Sequence, residues 1–190
     1  DLALREKEMI DQREHGINNV EAGIGAVVAS RDQKFGDDDV EATRKSCREM
    51  LALRKKVFGE AANRYPVTAE IGNQVIFFWN TGKGWFEFWP RSEKLEADFF
   101  KAIKTVEETV KAEGGPPVRL FIMDEPGGHP DLLKESIYYC KLAKEKMPQL
   151  TSYVTIGGGT AMGIDEIGML GGCVDLLTIN RFDEDLCKRM

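Results

Sequence analysis

No apolar run in the chain approaches the roughly 18 to 20 residues that a helix needs to cross a bilayer. No charged segment followed by an apolar core marks a signal peptide. There is no basic excess either: 26 Lys and Arg against 32 Asp and Glu give a net charge of -6, and no tail or face gathers the cations. That argues against nucleic acid or an anionic membrane as the main partner. The four cysteines, Cys47, Cys140, Cys173 and Cys187, stand alone. Without a Cys-x-x-Cys pair, neither a structural zinc site nor a thioredoxin-type motif is indicated. They read as small buried hydrophobes, and their even number leaves the redox compartment open. Period-locked repeats, low-complexity segments and linkers are absent. The chain starts at Asp1 rather than Met, so it reads as one whose leader has been removed or as a segment of something longer.

What is present is an alternation of helix-like and strand-like stretches. Leu2 to His15 has Leu4, Met9 and Ile10 on one side and charges on the other, a helix stopped by Gly16. Ile17 to Ala22 reads as a short buried strand with Glu21 near its end. Ile24 to Ala29 either extends that strand or forms another, and Arg31 to Asp39 reads as a loop. Asp39 is expected to cap a helix over Val40 to Gly59. Pro66 to Glu70 is the next strand. Asn73 to Pro90, dense in Phe and Trp, is a hairpin around Thr81-Gly82-Lys83-Gly84 or a long aromatic loop. Ser92 opens a helix to Glu113 with Leu95, Phe99, Ile103, Val106 and Val110 on one stripe. Val118 to Met123 is a strand, Pro130 to Lys146 a helix, Ser152 to Ile156 a strand. Ile164 to Leu170 is a helix, Val174 to Ile179 a strand, and Asp183 to Met190 the start of a further helix.

Strands alternating with helices imply a parallel sheet covered by helices. Two arrangements satisfy this: an open doubly wound sheet and a parallel (β/α)8 TIM-type barrel. A barrel takes roughly 250 residues, so 190 residues with about five βα units would be an incomplete segment of one. The reading carried forward is a single (β/α)-barrel domain over 1–190, part of a longer chain.

The sharpest junction is Leu120-Phe121-Ile122-Met123-Asp124-Glu125-Pro126, an apolar strand ending in two adjacent carboxylates and a Pro-Gly-Gly turn. Chemistry in α/β proteins concentrates where a parallel strand gives way to a loop. Four apolar residues followed by Asp-Glu-Pro also resemble the second nucleotide motif of ABC-transporter ATPases. That chemistry requires a phosphate loop, G-x-x-x-x-G-K-[ST]. The one Gly-Lys here, Gly82-Lys83, is followed by Gly84 and Trp85 and supplies no hydroxyl for Mg2+. Two carboxyl groups at a strand end suit acid-base work on a glycosidic bond instead. Neighbouring carboxylates repel, and the repulsion keeps a proton available near neutral pH.

The segment resembles the catalytic domain of glycoside hydrolase family 123 and its uncharacterised barrel relatives. The resemblance is carried by the Asp-Glu-Pro strand end, by the helix-to-strand passage Met9 to Val20, by the helix and Gly-Pro break leading to Pro126, and by the strand at Val174-Asp175. It implies an exo-acting β-N-acetylhexosaminidase using substrate-assisted, retaining catalysis. Glu125 would be the general acid/base, and Asp124 would orient and stabilise the acetamido group. If the first strand here is the barrel's second, the pair ends the fourth, the position that family uses. The resemblance, and nothing in the residues, points to a secreted or extracytoplasmic setting. No cofactor or metal is implied, and the expected partner is a glycan.

Around that pair, Trp79, Trp85 and Trp89 with Phe77, Phe78, Phe86 and Phe88 form either a stacking wall for a sugar ring or a packed lid or subunit contact. Trp79 and Trp85 are the first candidates for the ligand, and Asn80 for holding a hydroxyl. Glu21, Glu70 and Asn180 lie near strand ends and would face a barrel mouth. His129 is a candidate proton relay or metal ligand, although a histidine at a helix entry is more often structural. Gly157-Gly158-Gly159 is a tight strand-end turn before it is a phosphate loop, and Asp165-Glu166 a solvated helix start. Two other functions stay open: a carbohydrate-binding or structural barrel domain without turnover, and a metal-dependent enzyme built on Asp124, Glu125 and His129.

Overall fold

A computed structural model describes residues 1–17, 23–27, 35–124, 126, 130–156 and 164–179. In chain order the elements are α1 (Leu2–Glu14), β1 (Gly23–Gly25), α2 (Asp37–Phe58), β2 (Val67–Glu70), α3 (Gly72–Val75), β3 (Phe77–Asn80), β4 (Trp85–Phe88), α4 (Glu93–Ala112), β5 (Val118–Phe121), α5 (Pro130–Lys146), β6 (Thr151–Ile156), α6 (Ile164–Gly171) and β7 (Leu176–Ile179). A short 3-10 turn, Gly59–Asn63, follows α2.

Five strands form one parallel sheet in the order β1-β2-β5-β6-β7, and β3 and β4 form a separate antiparallel ribbon. The sheet order is the chain order, with the ribbon set aside between β2 and β5. Among the described strands there is no reversal of direction of the kind that defines a doubly wound sheet. A run of right-handed crossovers that always steps the same way leaves its helices on one face. The packing follows: α2 lies on β1, α4 on β5, α5 on β6 and α6 on β7.

One parity of strand residues joins those helices in a single core. Ile24, Val67, Ala69, Val118, Leu120 and Val154 are buried there with Phe99, Ile103 and Val106 of α4 and Leu133 and Cys140 of α5. The other parity stands outside that core. There Arg119 lies with its guanidinium 5.0 Å from the centre of the Tyr153 ring, Phe121 packs against the same ring, and Leu176 is half-exposed.

The helices begin and end for local reasons. Ser92 caps α4, its hydroxyl accepting from the Leu95 N–H at 3.1 Å, and all five residues of the predicted stripe are buried. Burying each is worth about 1.5 to 3 kcal/mol relative to leaving it in water. Gly114, at φ +65°, takes the left-handed conformation that ends helices. In α2 the cap is Gly36, not Asp39: the Asp39 carboxylate, inside the first turn, accepts from the Gly36 N–H at 2.8 Å. Arg54 is buried and donates to the Tyr65 carbonyl at 2.9 Å and towards that of Pro66 at 3.4 Å. It thereby ties the end of α2 to the entry of β2.

Several expectations need moving. The first described strand is Gly23–Gly25, which takes in only the start of the Ile24 to Ala29 candidate. Ile17 is exposed and outside any strand, and positions 18–22 lie outside the described residues. On α1, Met9 is buried and Ile10 packs on the core, but Leu4 is exposed. Of the alternatives for Asn73 to Pro90, the hairpin is correct, preceded by one helical turn, α3. The predicted helix from Asp183 and Cys187 lie outside the described residues. Cys47, Cys140 and Cys173 are free and buried, as small hydrophobes are. Among the described residues no helix is long and apolar enough to cross a membrane.

Candidate functional site

The C-terminal edge of the sheet is built from three neighbouring strands. β5 ends at Phe121, two residues short of the expected Met123; the chain continues through the buried Ile122 and Met123 and reaches solvent at Asp124. The chain leaving β2 crosses close to the end of this strand. A Cβ at Gly72 would come within 2.2 Å of the Ile122 carbonyl oxygen and 2.6 Å of the Phe77 ring, so only glycine lets α3 start there. Asp124 is exposed, and the Thr155 hydroxyl of β6 donates to its Oδ1. Glu70, also exposed, ends β2, with its carboxylate folded back over Gly23 of β1. Asp124 and the Thr155 hydroxyl of β6 therefore meet at this edge, whereas the Glu70 carboxylate is turned back towards Gly23, at the start of β1, and not towards the edge as expected. Thr155 was not among the sequence candidates. A Thr one residue before the end of β6, next to the strand that leads to Asp124, is the signal it leaves.

Glu125, the other half of the pair, lies outside the described residues, as do Glu21, Asn180, His129 and Gly157-Gly158-Gly159. Asp165 and Glu166 stand in the first turn of α6; their side chains lie outside the described residues. Among the described residues no three His, Cys, Asp or Glu side chains gather as metal ligands.

The β3–β4 ribbon carries the aromatic candidates. Its register pairs Phe77 with Phe88, Phe78 with Glu87, Trp79 with Phe86 and Asn80 with Trp85. Side chains directly opposite share a face, so positions 79 and 85 have opposite parity in the ladder. Both tryptophan side chains lie outside the described residues. Asn80 holds the turn. Its Oδ1 accepts from the Gly82 N–H at 2.9 Å and the Lys83 N–H at 3.2 Å, and its Nδ2 donates to Glu87 at 2.7 Å. Gly84, at φ +74°, closes it. Lys83 and Asn80 together hold the Glu87 carboxyl below its ordinary range, because both bonds favour the charged form.

One face of the ribbon is structural. Phe77 is buried, Phe86 and Phe88 pack on the core, and Phe88 stacks on Tyr139 of α5. A groove of about 490 Å³ runs between the ribbon and the first turns of α5, lined from the ribbon by Phe78 and Glu87 of the other face and by Phe86 and Phe88. Phe78 and Trp89 stack at 4.0 Å between ring centres along its wall. Arg91 reaches across to Glu135, its Nε and Nη2 donating to the two carboxylate oxygens at 2.6 and 2.7 Å, while its guanidinium lies 3.7 Å above the Tyr138 ring. Asp131 stands exposed at the rim in the first turn of α5. Phe78 and Trp89 belong to the aromatic group that the sequence offers as a stacking wall; Arg91, Asp131 and Glu135 were not singled out, although Asp131 and Glu135 are four apart on a helix and so share a face.

No family model, curated protein or solved structure matches the chain.

Proposed function

We propose that this chain is the catalytic part of a (β/α)-barrel glycoside hydrolase. It removes terminal N-acetylhexosamine residues by substrate-assisted, retaining catalysis. The observation that carries the reading is the state of Asp124: an exposed carboxylate just past the end of a parallel strand, with one oxygen engaged by Thr155. The other oxygen accepts no side-chain bond among the described residues, and this mechanism assigns it to the acetamido N–H. The sequential strand order supports a barrel, because a sheet whose helices all lie on one face buries its second face by closing on itself.

In the proposed reaction the acetamido carbonyl oxygen attacks the anomeric carbon while Glu125 protonates the departing glycosidic oxygen. Asp124 takes the acetamido N–H and stabilises the positive charge of the oxazolinium that forms. Glu125, now a carboxylate, removes a proton from water as the water opens the ring, and the anomeric configuration is retained. This is the exception to the two-carboxylate scheme, since the sugar supplies its own nucleophile.

The test is hydrolysis of an aryl N-acetylhexosaminide by the full-length protein. Release of the aryl group should fall about 100-fold or more in Glu125→Gln. An aryl hexoside lacking the acetamido group should not be cleaved, and fluorination of the acetyl methyl should slow the reaction by weakening the attacking oxygen. Equal turnover of acetamido and hydroxyl substrates would sink the substrate-assisted mechanism.

A further inference from the structure

Of the aromatic and leucine residues that line the groove between the ribbon and α5, Phe86, Phe88, Trp89 and Leu132 pack in or on the core, and core packing leaves only Phe78 unexplained. Among the described aromatic residues of the ribbon, Phe77, Phe86 and Phe88 are part of the core or packed on it, whereas Phe78 is not. It is nevertheless half-buried and stacked on Trp89. A phenylalanine held at the wall of an open groove, off the core, is a surface made for an apolar face.

The polar groups of the groove have a matching character. Arg91 and Glu135 are planar and locked edge to edge by their paired bonds, and Arg91 is held further by Tyr138. Their geometry is therefore set before any ligand arrives, which lowers the ordering cost of binding. Their charges cancel, and Glu87 is likewise matched by Lys83. Asp131 is left as the acid at the rim. Among the described residues of the groove, an anion meets no surplus cation, and a cation meets one unmatched exposed carboxylate. The groove volume lies within the roughly 300 to 1,000 Å³ of small-ligand clefts.

An uncharged ligand with one apolar face and a ring of hydroxyls fits this arrangement. A pyranose stacks its C–H face on aromatic rings and pairs its vicinal hydroxyls with planar, two-atom partners such as carboxylate and guanidinium. We infer that this groove is a sugar-ring subsite, with Phe78 and Trp89 as its platform and Arg91, Glu135 and Asp131 as its hydroxyl partners. The choice of N-acetylhexosamine among pyranoses rests on the hydrolase reading above; the groove itself does not.

Saturation-transfer NMR on the full-length protein, with methyl N-acetyl-β-glucosaminide as probe, tests it. Saturation should concentrate on the ring C–H protons of one sugar face. Trp89→Ala and the exposed Asp131→Asn should each weaken the Kd at least 5-fold with near-ultraviolet circular dichroism retained. Should Trp89→Ala fail to fold, Asp131→Asn still decides. Wild-type affinity in Asp131→Asn and in folded Trp89→Ala would overturn the subsite, as would preferential binding of a quaternary ammonium probe over the sugar. The two proposals separate cleanly. Unchanged affinity in the groove variants, with turnover lost in Glu125→Gln, removes the subsite and leaves the hydrolase. Groove-dependent sugar binding in a wild-type protein that cleaves nothing does the reverse.

Discussion

The Thr155 hydroxyl of β6 donates to Oδ1 of Asp124, which lies just beyond the end of the adjacent strand β5. A hydrogen bond to a charged acceptor is worth about 1.5 to 3 kcal/mol, so this bond fixes which way the carboxylate faces. Thr155→Val keeps the shape and removes the donor. It should lower kcat on an aryl N-acetylhexosaminide by roughly 10-fold, with KM changing less than 3-fold. Steady-state kinetics check this, and a change confined to KM would mean that Thr155 serves binding rather than the orientation of Asp124.

Arg54 should matter far more to stability than its charge suggests. Its buried guanidinium serves the carbonyls of Tyr65 and Pro66, and Arg54→Met would leave those acceptors without it. The expected loss is about 2 to 3 kcal/mol, read as a lower urea midpoint at unchanged m-value.

Tyr139 behaves in the opposite sense. Its ring is fully buried among Phe88, Phe99 and Tyr138, yet its hydroxyl has no hydrogen-bond partner among the described residues. Burial pushes its ionisation up, since the phenolate would be still worse placed. Tyr139→Phe removes an unsatisfied polar group and should stabilise the protein by about 1 kcal/mol. A lower thermal midpoint in the variant would show that the hydroxyl is satisfied in solution.

Asp175 links the acid limb of stability to the sheet. Its Oδ2 accepts from the Ser152 N–H at 2.8 Å and the Ser152 hydroxyl at 3.0 Å. Those bonds hold its carboxyl below the ordinary value of 3.8, with Lys144 adding to the effect. A carboxyl depressed by folding stabilises fully above its unfolded value and loses that contribution as pH falls through the folded one. Asp175→Asn should therefore unfold at lower urea than wild type at pH 6, and the gap should narrow below about pH 4. A gap that persists undiminished at pH 2.5 would assign the effect to packing instead of ionisation.

Much of this architecture was legible in the residues. The α4 stripe, the Ser92 cap, the α5 boundaries and the ribbon turn all follow from local periodicity and turn chemistry, which need no knowledge of distant partners. The apolar run from Ile24 signalled a strand, but β1 is only Gly23–Gly25, and its two glycines carry none of the β-branched or aromatic signal that would have set those bounds. Asp39 was mistaken for the cap because three consecutive aspartates all suit a helix start, and only the backbone of Gly36 decides among them. Non-local relationships left no trace to read. The contact between Thr155 and Asp124, the burial of Arg54 and the groove between residues 78–91 and α5 arise from which strand pairs with which, and that is fixed by the whole sheet.

The ribbon set aside between β2 and β5 has a wider consequence. β2 pairs with β5 residue for residue, from Val67 with Val118 to Glu70 with Phe121, as though nothing had been inserted between them. Doubling a flexible connection costs only about 0.6 kcal/mol of closure entropy, so this excursion taxes the sheet little. Sheet and ribbon are thereby uncoupled. Replacing the outward-facing residues of the ribbon should leave β2 and β5 in the same register.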